Sequence, residues 1–202
     1  MAITELAHTL DVSAKRFFVR QVDVADSESC LGFARECQGR FGSIDFLVSN
    51  AAVLRIAPVH NMTDGLWREV INSNLDSVFY MCRSFLPVIN TGGSITNIAS
   101  AAAHGGAVEH SAYAASKAAV LAFSRSLARE VAPSIRCNAI SPGMIDTEML
   151  DELPNEVLQP LKEESPYNRL GKPIEIAGAI GFFCSQRSSF VTTETRFAIL
   201  CA

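Results

Sequence analysis

Ser94-Ile95-Thr96-Asn97-Ile98-Ala99-Ser100, followed by Tyr113-Ala114-Ala115-Ser116-Lys117, is the stretch on which the reading of this chain turns. The turn signal Thr91-Gly92-Gly93 precedes a short apolar run, so 94–98 is predicted as a strand that ends just before the Ser100 hydroxyl. The pattern from 112 to 131 is helical, which puts Tyr113 at a helix start and Lys117 one turn further on the same face. A strand-end hydroxyl can then face a helix-start phenol, and the two can hold one carbonyl oxygen between them.

Working outward, segments alternate. Residues 16–24 (RFFVRQVDV), 44–49 (IDFLVS), 135–140 and 195–200 read as strands. Residues 27–41 read as a helix with Cys30, Phe33, Ala34, Cys37 and Phe41 on one stripe. A long helix is predicted over 64–88, with Leu66, Val70, Ile71, Leu75, Val78, Phe79, Cys82 and Leu86 as its apolar positions, and another over 175–184. Near-continuous apolar strands separated by helices predict an α/β fold, a parallel sheet covered on both faces. Such sheets bind ligands at the carboxyl ends of their strands. Those ends carry Asp23, Asn50, Ser100 and Pro142-Gly143. The stretch 146–168 is acidic, holds Pro154, Pro160 and Pro166, and is expected to be a substrate lid.

With 202 residues, 49% of them hydrophobic, one domain spanning 1–202 is expected. A net charge of -4 without a block of like charge argues against nucleic acid or an anionic membrane as partner. No apolar run reaches membrane-span length, and the first residues lack the basic flank and apolar stretch of a secretion signal. Cys30, Cys37, Cys82, Cys137, Cys184 and Cys201 show no Cys-x-x-Cys spacing. They read as small core residues of a reducing, cytoplasmic compartment, and no metal site is expected.

Each candidate residue has a chemical and a plain reading. An ammonium beside a phenol favours the phenolate and lowers a pKa that starts near ~10, making Tyr113 an acid/base group; plainly, Tyr113 and Lys117 are a helix-surface pair. Asn74 in Ile71-Asn72-Ser73-Asn74-Leu75 is a poor interior helix residue. It marks either a solvent-facing amide or a local break in the ladder that holds a water. Ser49-Asn50-Ala51-Ala52 offers small side chains for a flat ligand, or is a simple strand-to-loop turn. The stretch 142–147, with Pro142, Gly143, Ile145 and Thr147, is also readable as a turn followed by a helix N-cap at Asp146 or Thr147.

Taken together, these motifs resemble the short-chain dehydrogenase/reductase family, in order and spacing, from about Arg16 to Leu200. Asn74, Ser100, Tyr113 and Lys117 match the family's catalytic tetrad. Asp23-Val24 resembles the strand end that meets the adenine, and Asn50, Ala51 and Ala52 the Asn-Asn-Ala-Gly element, with Ser49 and Ala52 departing from it. Pro142, Gly143, Ile145 and Thr147 match the loop holding the nicotinamide carboxamide and phosphates, and 169–177 the C-terminal pattern. The resemblance implies a Rossmann-like doubly wound parallel sheet and NAD or NADP as cofactor. It implies interconversion of a ketone and a secondary alcohol, with a 3-oxoacyl-reductase-like or similar small-molecule substrate. In that mechanism Tyr113 donates the proton, Lys117 lowers its pKa and bonds the ribose, Ser100 bonds the substrate oxygen, and Asn74 holds a water. The family also implies a homo-oligomer assembled through helices matching 64–88 and 112–131.

Family members open with a strand, a Thr-Gly-x-x-x-Gly-x-Gly loop, a helix and a second strand, and these 202 residues contain no such loop. The expectation is therefore a sheet missing the family's first two strands and first helix, with residues 3–10 as the helix leading into 16–24. Strand 16–24 would then pair directly with 44–49 or hang loose. Three readings stay open: a truncated active reductase, a chain working beside a partner that completes the sheet, and a non-catalytic interaction protein. An epimerase or dehydratase, which shares Tyr-x-x-x-Lys, is disfavoured by the compact C-terminal region.

Overall fold

A computed structural model describes residues 17–150, 155–195 and 197–199; the helix expected over 3–10 lies outside them. Helix α1 (Ser27–Phe41) starts where Asp26 accepts the Glu28 and Ser29 N–H groups and stops at Gly42, whose φ of 78° suits glycine. Strand β1 (Ile44–Ser49) follows. Thr63 caps α2 (Asp64–Ile71), which passes through a π turn at Asn72–Asp76 into α3 (Ser77–Phe85). The single helix expected over 64–88 is thus one path with a slipped ladder: the Ser77 N–H reaches back to the Asn72 carbonyl.

Strand β2 (Ile89–Ile98) begins well before the expected 94, because Gly92-Gly93 lies within the strand. A Cβ at Gly93 would come within 2.6 Å of the Asp45 carbonyl oxygen, so only glycine lets β2 run this close to β1. The remaining elements are α4 (Ala102–Gly105), α5 (Ser111–Val131), β3 (Arg136–Pro142), α6 (Asn155–Glu164), α7 (Pro173–Phe183) and β4 (Phe197–Ile199).

The strands form one parallel sheet in the order β1-β2-β3-β4. Leu47, Ile95, Cys137 and Ala139 project from one face into a core with Cys82, Phe85, Val120, Leu121 and Leu127, covered by α1, α3 and α5. On the other face Ile98 and Ile140 pack against Phe183, with Ala179, Ile180 and Phe182 of α7 beside them. Full burial of such side chains contributes about 1.5–3 kcal/mol each. Both faces of β2 and β3 are therefore covered, as a doubly wound sheet requires. Over β1 the second face is bare: Phe46 is 46% and Val48 37% exposed.

The strand expected over 16–24 is not formed. Residues 17–23 join no ladder. An extended segment becomes a strand only when a neighbour takes its N–H and C=O groups, and the outer edge of β1 carries no strand among the described residues. Its apolar alternation is used against α1 instead. The Phe18 ring stacks on Phe33 at 6.2 Å, Arg20 pairs with Glu36, and the Asp23 N–H donates to Ser29 Oγ at 3.1 Å.

Cys30, Cys37, Cys82 and Cys137 are free and buried, and Cys184 is free and half-buried. Burial pushes the Cys82 thiol up to about 12. Among the described residues no cluster of His, Cys, Asp and Glu is arranged to hold a metal, and no helix is long and apolar enough to cross a membrane.

Candidate active site

The β2–β3 ladder continues past the strand ends and fixes Ser100. The Ala99 N–H donates to Ile140 O at 2.7 Å and the Ala101 N–H to Pro142 O at 2.8 Å. Ser100 Oγ accepts the Ala102 N–H at 3.2 Å, and its hydroxyl is near enough to the Tyr113 phenol to favour the phenolate. Tyr113 lies in the first turn of α5, half-buried, with Lys117 one turn on. Lys117 is only 2% exposed, and its ammonium donates to Ile98 O at 2.8 Å. Serine, phenol and ammonium therefore meet at the C-terminal end of β2, where an open α/β sheet binds its ligand.

The electrostatics differ from the expected lowering of the phenol pKa. Burial pushes Tyr113 up, and the neighbouring Ser100 hydroxyl pulls it part of the way back. Burial takes Lys117 down to about 8. The physical reason is geometric: the ammonium sits 5.8 Å from the centroid of the Tyr113 ring and turns its proton to the Ile98 carbonyl, while both groups have lost water. At neutral pH Tyr113 is thus a protonated phenol, equipped to give a proton rather than to take one.

Asn74 is fully buried inside the π turn. Its Oδ1 accepts the Val53 N–H at 2.8 Å, and its Nδ2 donates to Val53 O at 2.9 Å and to Ser116 Oγ at 3.1 Å. Ser116 Oγ in turn donates to Tyr113 O at 2.7 Å. The side chain expected to hold a water has both amide hydrogens committed to protein. It clamps the loop after β1 to the helix that carries Tyr113, while the ladder break it marks is the π turn itself.

The other predicted positions, Asp23 and Val24 apart, lie at the end of β3 or on the loops that follow β1 and β3. Asn50 and Ala51 are exposed and Ala52 half-buried, on a loop held by the Asn74–Val53 pair. Pro142 is joined to the Ser100 turn through Ala101. Ile145 bridges Gly171, with the Gly171 N–H donating to Met144 O and the Asp146 N–H to Gly171 O, both at 2.9 Å. Thr147 Oγ1 donates to Ile145 O at 3.3 Å, ahead of a single 3-10 turn at Glu148–Leu150 rather than a full helix. Asp23 and Val24 belong with α1: Asp23 Oδ1 accepts the Ala25 N–H at 2.9 Å and the Val24 carbonyl receives the Cys30 thiol.

Sequence reasoning missed three supports. Ser116 links Asn74 to Tyr113, and a small hydroxyl inside Tyr-x-x-x-Lys was its only signal. Gly171 leaves room for the end of Ile145, because a Cβ there would meet Ile145 Cδ1 at 2.6 Å and turn that side chain aside. His104, in α4, meets the buried Ser141 hydroxyl at 3.0 Å.

A nicotinamide nucleotide fits one half of this arrangement. An ammonium has three N–H donors, and Ile98 O takes one, so Lys117 has donors to offer a ribose hydroxyl beside Tyr113. Asn50, Ala51 and Ala52 follow β1, and Gly143 follows β3, at the same end of the sheet as Ser100. A glycine-rich cradle for the pyrophosphate is not among these 202 residues.

The family model described as Enoyl-(Acyl carrier protein) reductase matches residues 2–198. The chain is 36% identical over 182 residues to a 3-oxoacyl-(acyl-carrier-protein) reductase of Chlamydia pneumoniae, covering 87% of this chain and 72% of the relative. It is 37% identical over 184 residues to an acetoacetyl-CoA reductase of Shinella zoogloeoides, covering 86% and 73%. A solved short-chain dehydrogenase/reductase from Brucella melitensis superposes with a TM-score of 0.91 at 39% identity, over 96% of this chain and 78% of that one.

Proposed function

The chain belongs to the short-chain dehydrogenase/reductase family, and from that premise we propose that it is an NAD(P)-dependent oxidoreductase interconverting a ketone and a secondary alcohol. The observation that carries this is the meeting of Ser100, Tyr113 and Lys117 at one strand end, with the phenol held protonated. The relatives described as 3-oxoacyl and acetoacetyl-CoA reductases support a 3-oxoacyl-type carbonyl as substrate class.

A bound nicotinamide supplies the hydride. Tyr113 gives its proton to the substrate oxygen, and Ser100 Oγ, beside the phenol, donates to the same oxygen as negative charge develops there. Lys117 then lies beside a phenol that has lost its proton, and the two charges favour each other in a buried setting. Asn50 to Ala52, Pro142, Gly143, Ile145 and Thr147 are proposed to line the cofactor, with Asp23 and Val24 toward its far end. The segment 146–168, including α6, is proposed as the lid over the substrate.

The test is steady-state reduction of 3-oxoacyl esters with NADH and NADPH, comparing wild type with Tyr113→Phe. Loss of about 10²–10⁴ in turnover with cofactor binding retained is expected; unchanged turnover would refute the assignment.

A second reading is that the chain works beside a partner that completes its sheet. The edge of β1, which carries no strand among the described residues, and the exposed Phe46 and Val48 favour it. Turnover by this chain only after mixing with a full-length relative would select it.

A further inference from the structure

We propose that His104 is a positioning residue that latches the Ser100 turn to the 142–147 loop. The proposal rests on the reading of Ser100 as the group that bonds the substrate oxygen. His104 belongs to the segment that leaves β2, and Ser141 to the end of the adjacent strand β3, where that oxygen is held.

Past Ile98 the sheet ladder has two rungs left: Ala99 N–H to Ile140 O, and Ala101 N–H to Pro142 O at 2.8 Å. Beyond the second, the chain from Ser100 curls into the short helix α4, closed by His104 N–H to Ala101 O at 3.0 Å and Gly106 N–H to Ala102 O at 3.0 Å. All of these hold the turn to itself or to two backbone carbonyls of β3. The His104 ring adds a side-chain tie across to β3: its Nε2 lies 3.0 Å from Ser141 Oγ. Ser141 is fully buried at the last turn of β3, immediately before Pro142-Gly143. A buried hydroxyl needs a partner, and His104 supplies it from the exposed side of α4.

The tie acts at both ends. On one side it fixes α4, whose first residues contribute the Ala102 N–H that orients Ser100 Oγ at 3.2 Å. On the other it fixes the residue from which the 142–147 loop departs. A Ser100 hydroxyl displaced by a fraction of an ångström still meets the ground-state carbonyl but follows developing charge less well. Loss of the latch therefore falls on kcat more than on KM for the carbonyl substrate.

Hydrogen exchange and kinetics on His104→Ala, His104→Gln and Ser141→Ala test this. Exchange is followed at the Ala101 amide, with the Ala99 amide as reference inside the sheet. His104→Ala is expected to speed Ala101 exchange about fivefold, the value of one hydrogen bond, and to lower kcat by a similar factor with KM changed less than twofold. His104→Gln, whose amide can stand in for Nε2 as donor or acceptor, restores both, and Ser141→Ala adds nothing to His104→Ala. Unaltered Ala101 exchange in His104→Ala, no rescue by glutamine, or an effect confined to KM overturns the latch. A wild-type chain without carbonyl reduction overturns the oxidoreductase reading, and the exchange data then decide the latch on their own.

Discussion

Lys117 should cost the fold stability at neutral pH, and that cost should be readable as a pH dependence. The side chain is 2% exposed, and burial holds its pKa at about 8 against an ordinary 10.5. Between those values the unfolded chain binds a proton that the folded chain has released, so stability rises with pH across that window. It is lowest below pH 8, where the ammonium is charged in the interior, and the penalty is gone above 10.5. For a single site with those two values, linkage gives about 2–3 kcal/mol gained between pH 7 and pH 10. The thiols run the other way. Burial raises Cys82 to about 12, so at pH above 9 the unfolded chain loses thiol protons that the native state keeps, and stability falls. Comparison with Lys117→Met removes that opposing slope, because both proteins carry the same thiols. Urea unfolding followed by circular dichroism at pH 7, 8, 9 and 10 gives the difference directly. Wild type should gain on Lys117→Met by about 2–3 kcal/mol over that range, most of it between pH 8 and pH 10. A difference that stays flat, or that moves against wild type, would refute the claim that the ammonium is held at an energetic cost.

Asn74→Ala should destabilise the chain by about 2–3 kcal/mol in urea unfolding, because it strands both backbone groups of Val53 and takes from the Ser116 hydroxyl the donor it accepts. Gly171→Ala should raise the KM for cofactor several-fold by forcing Ile145 aside, and Ile145→Ala in the same chain should restore it; steady-state kinetics of both variants decide. Self-association through α2, α3 and α5 is proposed from the exposed Trp67 and Phe79, the latter edge-on to Phe123 at 6.4 Å. Phe79→Glu should convert an oligomer to monomer in sedimentation velocity, and a wild type that sediments as monomer would sink the proposal.

The parts of the fold that rest on local rules were legible. Helix 27–41 was found to the residue because Asp26 and Gly42 punctuate it. Strand 44–49 was found because an apolar run of that length between turn signals has few alternatives. What depended on a neighbour was not legible. The run 16–24 has a strand's pattern and lacks a strand's partner, so its apolar residues pack on α1. Gly92-Gly93 reads as a turn because nothing local reveals that the Asp45 carbonyl approaches there. The π turn was hidden in the periodicity of 64–88, although an asparagine at 74 pointed to the place.

The site shows the same division at finer scale. Tyr113 and Lys117 were visible as a pair because helix geometry alone sets them on one face. Their mutual effect was misjudged because spacing gives proximity and says nothing of water. Once both are buried, desolvation raises the phenol and lowers the amine, and each moves away from its charged form. In the proposed mechanism that shift has a chemical use. A phenol that resists ionisation in the free site does not waste its proton, and a substrate oxygen gathering negative charge gives it a reason to leave. The ammonium, tied meanwhile to Ile98 O, lies one helical turn away when the phenolate forms. Its stabilisation of the phenolate is then expressed along the reaction rather than before it, which is where an interaction must act to raise kcat.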